Sequence, residues 1–117
     1  MAQDLIANLE ALLAKGQDAP SLRFALASRY LAAGDAAAAL RHAEAAVALD
    51  AAYSAGWKIL GQVRAAAGDE RGAAESFRRG IAVADARGDR QAAKEMQVFL
   101  KRLEKRAGPA SSADGAA

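Results

Sequence analysis

The chain has 117 residues, no cysteine, a net charge of +2 and 5% aromatic residues, which suits one all-α domain and excludes disulfides, thiolate metal sites and a second independent core. Its 53% hydrophobic content is inflated by 35 alanines, the strongest helix formers, so helix is favoured throughout and strand nowhere. No stretch approaches the roughly 18 consecutive apolar residues of a membrane span, and Met1-Ala2-Gln3-Asp4 lacks the basic region and cleavage site of a secretory leader, so a cytoplasmic protein without membrane association is expected.

The first predicted element is an opening helix over 4–15. There Leu5, Leu9 and Leu12, flanked by Ile6 and Leu13, form one apolar stripe that Gly16 ends. Gln17 to Ala19 make a short connection, and Pro20 presets the first turn of the next helix, with Asp18 or Ala19 as its cap. From Pro20 to Asp85 one 34-residue pattern is written twice: Leu26, Ala27, Gly34, Asp35, Ala39 and Ala46 recur as Leu60, Gly61, Gly68, Asp69, Ala73 and Gly80. Such a period reports a helix pair that buries its apolar face only by stacking on its neighbours.

Within each copy the Gly-Asp pair is a helix stop followed by a helix start. Glycine accepts the left-handed conformation that ends one helix, and aspartate offers its carboxylate to the free N–H groups of the next. This spacing predicts helices over 20–33 and 36–49 in the first copy, and over 54–67 and from 70 toward 87 in the second. The small residues at 27 and 61, 39 and 73, and 46 and 80 let two helix backbones approach, where a bulkier side chain would cost about 1–3 kcal/mol. Leu26, Tyr30, Trp57, Leu60 and Phe77 fill the space around those contacts, and loss of either large ring should cost about 3–5 kcal/mol. A third Gly-Asp pair, Gly88-Asp89, opens a last helix whose apolar stripe is Ala92, Met96, Phe99 and Leu103 and whose other face is charged, as suits a cap. The expected organisation is one domain over 1–106, with an opening helix at 4–15, repeats at 20–53 and 54–87 and a capping helix at 89–106. Residues 107–117 have no large apolar side chain to bury and form an expected disordered tail.

The second copy, with Trp57, Leu60-Gly61, Ala73 and Phe77, resembles the tetratricopeptide repeat, whose signature is W-x2-L-G-x2-Y, then A-x3-F, then P. The first copy keeps Leu26, Ala27, Tyr30 and Ala39 but has Arg23 in the Trp place and Ala43 in the Phe place. Arg64 replaces the Tyr of the second copy, and Ala51 and Asp85 stand where the closing Pro would be. The resemblance implies a right-handed α-solenoid of antiparallel helix pairs, about six helices in all, with a concave face lined by the first helix of each repeat. It also implies a protein–protein interaction scaffold or adaptor that holds a peptide segment or partner protein on that face. The family's groove places fall on Ser21, Phe24, Ser28, Leu31 and Ala32 in the first copy and on Ala55, Lys58, Gln62, Ala65 and Ala66 in the second. One subclass grips chaperone C-terminal carboxylates, but its clamp places read Phe24, Ser28 and Ile59 here, so that activity is not expected. The alternative is a structural or self-assembling repeat unit, a homo-oligomer without a peptide ligand.

No enzyme, cofactor or metal site is expected. His42 has no second histidine or cysteine to join it and reads as a solvated side chain on its helix, while the acids fall at helix starts and polar faces. Residues 78–106 carry nine Lys or Arg against four acids, a basic end that the solvated face and last turn of a terminal helix explain. Nucleic-acid binding is not expected, because no aromatic residues are interleaved for base stacking.

Overall fold

The computed structural model describes residues 2–116 in backbone and 4–107 in side chains. Six helices follow one another: α1 (Ala2–Ala14), α2 (Pro20–Ala32), α3 (Ala36–Leu49), α4 (Ser54–Ala66), α5 (Glu70–Ala86) and α6 (Arg90–Ala116). Of the tail expected over 107–117, the side chains from 108 onward lie outside those described, and the backbone of α6 runs to Ala116.

Corners form where the period places them. Gly34 and Gly68 adopt φ of +83° and +87°, and the residue after each folds its N–H back to the carbonyl five residues earlier, Asp35 to Tyr30 at 2.9 Å and Asp69 to Arg64 at 2.8 Å. Each aspartate then turns its carboxylate forward. Asp35 accepts from the Ala38 N–H at 3.1 Å and Asp69 from the Gly72 N–H at 2.9 Å, so one dipeptide closes a helix and opens the next. Gly88-Asp89 repeats the arrangement, with Asp89 accepting from Ala92 at 3.1 Å. At the start of α2 the N-cap is Ala19, without a side-chain cap. Asp18 is instead paired with Arg23, at 2.8 and 2.9 Å.

Every helix packs on the next, and α4 also touches α2 and α6. Among the described residues no Cα pair of α3 and α5 comes within 8 Å. One row of helices is therefore closer than the other, so the stack bends toward α2, α4 and α6. Its extents of 49 × 31 × 22 Å are those of a short solenoid.

The interior divides into two clusters. The first gathers Ala27, Ala39, Ala43, Trp57, Ile59, Leu60 and Val63, with half-buried Phe24, Tyr30 and Leu31 against it. The second gathers Ala73, Phe77, Ala84, Ala93, Met96 and Leu103, with Phe99 stacked on Phe77 at 5.4 Å between ring centroids. Trp57 is 9% and Phe77 1% exposed. Small residues admit these bulky ones: a Cβ on Gly61 would stand 2.5 Å from the Phe77 ring, and one on Gly80 would meet the Met96 sulfur and lie 2.8 Å from Trp57 Cβ. By contrast, α1 has no fully buried residue among those described, and Leu12 is 37% exposed.

Without the closing prolines, helix length is set by other contacts. α3 stops at Leu49, and Asp50 turns the chain by accepting from the Ala52 N–H at 2.9 Å. That turn is tied down by the Trp57 indole N–H, donating to the Ala51 carbonyl at 2.8 Å, and by Arg87, donating to the Ala52 carbonyl at 2.7 Å. α5 runs on to Ala86, with that same Arg87 as its C-cap residue.

Candidate functional site

The face toward which the stack bends is built from α2, α4 and α6, and all the groove places read from the sequence stand on the first two. In α2, Phe24, Ser28 and Leu31 are half-buried while Ser21 and Ala32 are exposed. Phe24 meets the Tyr53 ring edge to face, centroids 6.2 Å apart. In α4, Ala55, Lys58, Gln62 and Ala65 are half-buried and Ala66 is exposed. Lys58 reaches across to α6 and holds the Glu95 carboxylate at 2.9 Å, and that bond holds the carboxyl of Glu95 below its ordinary range. The ammonium is thereby partly committed within the protein. Gln62 and Ala65 belong to a further hollow.

That hollow lies between α4, α5 and α6 and has a volume of about 540 Å³. Ala65, Phe77, Phe99 and Leu103 form its apolar floor, and Gln62, Arg102, Lys105 and Arg106 its rim. The α6 contribution had no place in the sequence reading, because the last helix has no repeated copy from which groove places could be carried over. Phe99 and Leu103, four residues apart on one side of α6 with cations at 102, 105 and 106, were the signal available.

His42 overturns an expectation. Read as solvated, it is 5% exposed, with its ring stacked on Tyr30 at 5.5 Å and an interplanar angle of 4°. Arg23 Nη1 lies 3.1 Å from Nδ1, and since a guanidinium can only donate, Nδ1 accepts and the ring proton sits on Nε2. Nε2 faces the Glu10 carboxylate at 3.5 Å, and that carboxylate also accepts the Tyr30 hydroxyl at 2.6 Å. Burial pushes the imidazole below its ordinary range, with Glu10 opposing the shift and Arg23 reinforcing it. The acceptance by Glu10 holds the Tyr30 phenol up. This cluster binds α1 to the α2–α3 pair. Among the described residues no group of three His, Cys, Asp or Glu side chains could hold a metal ion, and no helix is long and apolar enough to cross a membrane.

Paired helices joined by Gly-Asp corners, small residues at the crossings and a bend toward the first helix of each pair define a helical-repeat solenoid. No family model matches the sequence. The chain is, however, 50% identical over 101 residues to the TPR repeat-containing protein PA0015 of Pseudomonas aeruginosa, an alignment covering 86% of this chain and 96% of that one. It belongs to the tetratricopeptide repeat proteins. The solution structure of protein BPP2914 from Bordetella parapertussis superposes with a TM-score of 0.76 at 43% identity, covering 87% of this chain and 89% of that one. Two crystal structures of MamA share the fold, with TM-scores of 0.66 and 0.67 at 18% identity, and are covered over 66% and 70% of their lengths.

Proposed function

We propose that the protein is an interaction scaffold that holds a segment of a partner protein along the face formed by α2, α4 and α6. The observation that carries this reading is the bend of the stack. It brings the first helices of successive pairs together, and along them stand small or half-exposed side chains, Ser28, Leu31, Ala55, Gln62 and Ala65, with Phe24 and Lys58 at matching places. Small side chains leave room for a guest backbone, and the half-exposed apolar ones gain by covering. No group in the described residues is arranged for bond-making, so binding alone is the proposed activity. Capture of partners from a lysate, with Phe24→Ala and Lys58→Glu variants alongside the parent chain, tests the assignment. Loss of the same captured protein in both variants is the expected outcome. Retention of every partner by both would remove the groove from α2 and α4.

A further inference from the structure

Resting on that scaffold reading, we infer that the hollow between α4, α5 and α6 is the anchoring end of the groove, and that it takes an acidic peptide segment carrying one bulky apolar side chain. The floor is apolar, made by Phe77, Phe99, Leu103 and Ala65, and the volume of about 540 Å³ lies within the range of roughly 300–1,000 Å³ typical of ligand sites. The rim is cationic, and no Asp or Glu lines the hollow.

The acids nearby in sequence are engaged away from it. On α6, Glu95 is held by Lys58 at 2.9 Å and Glu104 faces Arg78 at 3.7 Å. Arg106 is shared with Glu70 at 3.3 Å. That leaves Arg102 and Lys105, neither with a carboxylate within ion-pair distance among the described residues. Arg102 lies over the Phe99 ring, 5.8 Å from its centroid, which places the guanidinium beside the apolar floor. Two cations around a greasy floor complement a guest of the opposite pattern, carboxylates flanking an aromatic or leucine side chain. Gln62, on the α4 wall, can both donate to and accept from the guest's backbone amide. The chain's own last residues cannot be that guest: Gly108 to Ala117 contain no large apolar side chain to enter the hollow.

The test begins with selection of a random peptide display library on the full chain. Enriched peptides should pair Asp or Glu with a Phe, Trp or Leu. A fluorescently labelled enriched peptide is then titrated against the parent, against Arg102→Glu/Lys105→Glu, and against Lys94→Glu/Lys101→Glu, which makes the same charge change on exposed places of α6 outside the hollow. The first double variant should weaken binding about tenfold or more and the second little. Both variants change exposed side chains, and unchanged thermal melts confirm that the fold is intact. Equal weakening by the two would reduce the effect to net charge and overturn the site. Enriched peptides without acids, lost on Phe24→Ala but indifferent to Arg102→Glu/Lys105→Glu, would overturn the anchor and leave the scaffold reading standing. Failure to enrich any peptide would count against both. Displacement of the peptide by polyuridylate, with a steep salt dependence, would assign the rim to nucleic acid instead.

Discussion

In the α2–α3 pair the places at 30 and 42 hold Tyr30 stacked on His42, with Glu10 of the preceding helix reaching both; 34 residues on, the same places hold Arg64 and Ser76, and Glu44 stands where Glu10 stood. Arg64 donates to the Ser76 hydroxyl at 2.7 Å and approaches Glu44 at 3.8 Å, while Ser76 donates to the Gly72 carbonyl at 2.9 Å. The same three register positions thus join three successive helices in both copies, by different chemistry. Bulk explains the exchange. In the second pair Phe77 lies over Gly61, so its neighbour shrinks to Ser76. In the first pair the place of Phe77 is Ala43, and the ring stands on the neighbouring His42, stacked on Tyr30 and facing Glu10 of α1. Along the second helix of each pair the large ring stands one residue earlier in the first copy than in the second, and it faces the preceding helix rather than the following one. The first junction is consequently polar and titratable, the second apolar.

The largest test of that difference is to remove the ring from the second pair. Phe77→Ala, measured by urea unfolding, should lose about 3–5 kcal/mol, because Phe77 is 1% exposed and also supports Phe99. His42→Ala, at the adjacent place in the first pair, should lose less, about 1–3 kcal/mol, since what remains exposed to water can be rehydrated through the loosely covered α1. Equal losses at the two places would contradict the exchange of bulk.

Next in size is the crossing itself. Gly61→Ala puts a Cβ 2.5 Å from the Phe77 ring and should cost about 1–3 kcal/mol by overpacking. The cost should largely vanish in a Phe77→Ala background, a coupling that a double-mutant cycle reads directly. At the matching place in the first pair, Ala27→Gly creates room rather than a clash and should cost about 1 kcal/mol through helix propensity and lost packing. A Gly61→Ala cost unchanged by removal of Phe77 would mean that the ring is not what the glycine accommodates.

Most of the helical framework is legible in the sequence. The period located both corners, because Gly34-Asp35 and Gly68-Asp69 act locally, through one left-handed residue and one capping carboxylate that need no distant partner. The burial of Trp57 and Phe77 was readable for a related reason: each falls on a face already marked by Leu60, Ala73 and Gly80. His42 was misread because its burial comes from Glu10 and Tyr30 on two other helices, and side-chain volume traded between neighbouring places leaves no trace in one helix's periodicity. Extending the 34-residue register to Glu10, Tyr30 and His42 against Glu44, Arg64 and Ser76 would have exposed it. Arg23, in the place of the signature Trp, departs from the pattern in the sequence. In fact Arg23 and Trp57 do related work, each reaching back to the loop before its own helix, to Asp18 and to the Ala51 carbonyl. The groove places on α2 and α4 could be named by analogy, whereas the hollow under α6 depends on how a non-repeated helix seats on Phe77.

A smaller effect comes from the hydroxyl that ties α1 to this junction. Tyr30→Phe keeps the ring stack on His42 and deletes only the bond to Glu10, so it should cost about 1 kcal/mol. Because α1 has no fully buried residue among those described, the loss should appear first as faster amide exchange in α1, with α4 and α5 unchanged. Uniform acceleration across all helices would show that α1 does not open separately.

The smallest expected effect is the response to pH, and it belongs to the first junction alone. His42 is held below its ordinary value of 6.5, chiefly by burial, so the unfolded chain binds a proton more readily than the folded one. Stability from this group is therefore fully present above pH about 6.5 and declines as pH falls from there through the folded-state value. The decline is limited by Glu10, which faces Nε2 and favours the imidazolium, whereas Arg23, facing Nδ1, opposes it. The exposed carboxyls of Asp18 and Glu95 are themselves held low by Arg23 and Lys58 and lose their protein contacts only in more acid solution, which leaves the interval between about pH 5 and 7 to the histidine. Urea midpoints measured across that interval should fall with acidification in the parent chain and stay level in His42→Gln. Ser76, in the matching place, has no proton to exchange, so Ser76→Ala should leave the parent's slope intact. A slope that survives His42→Gln would place the titrating group elsewhere and remove the chemical distinction between the two junctions.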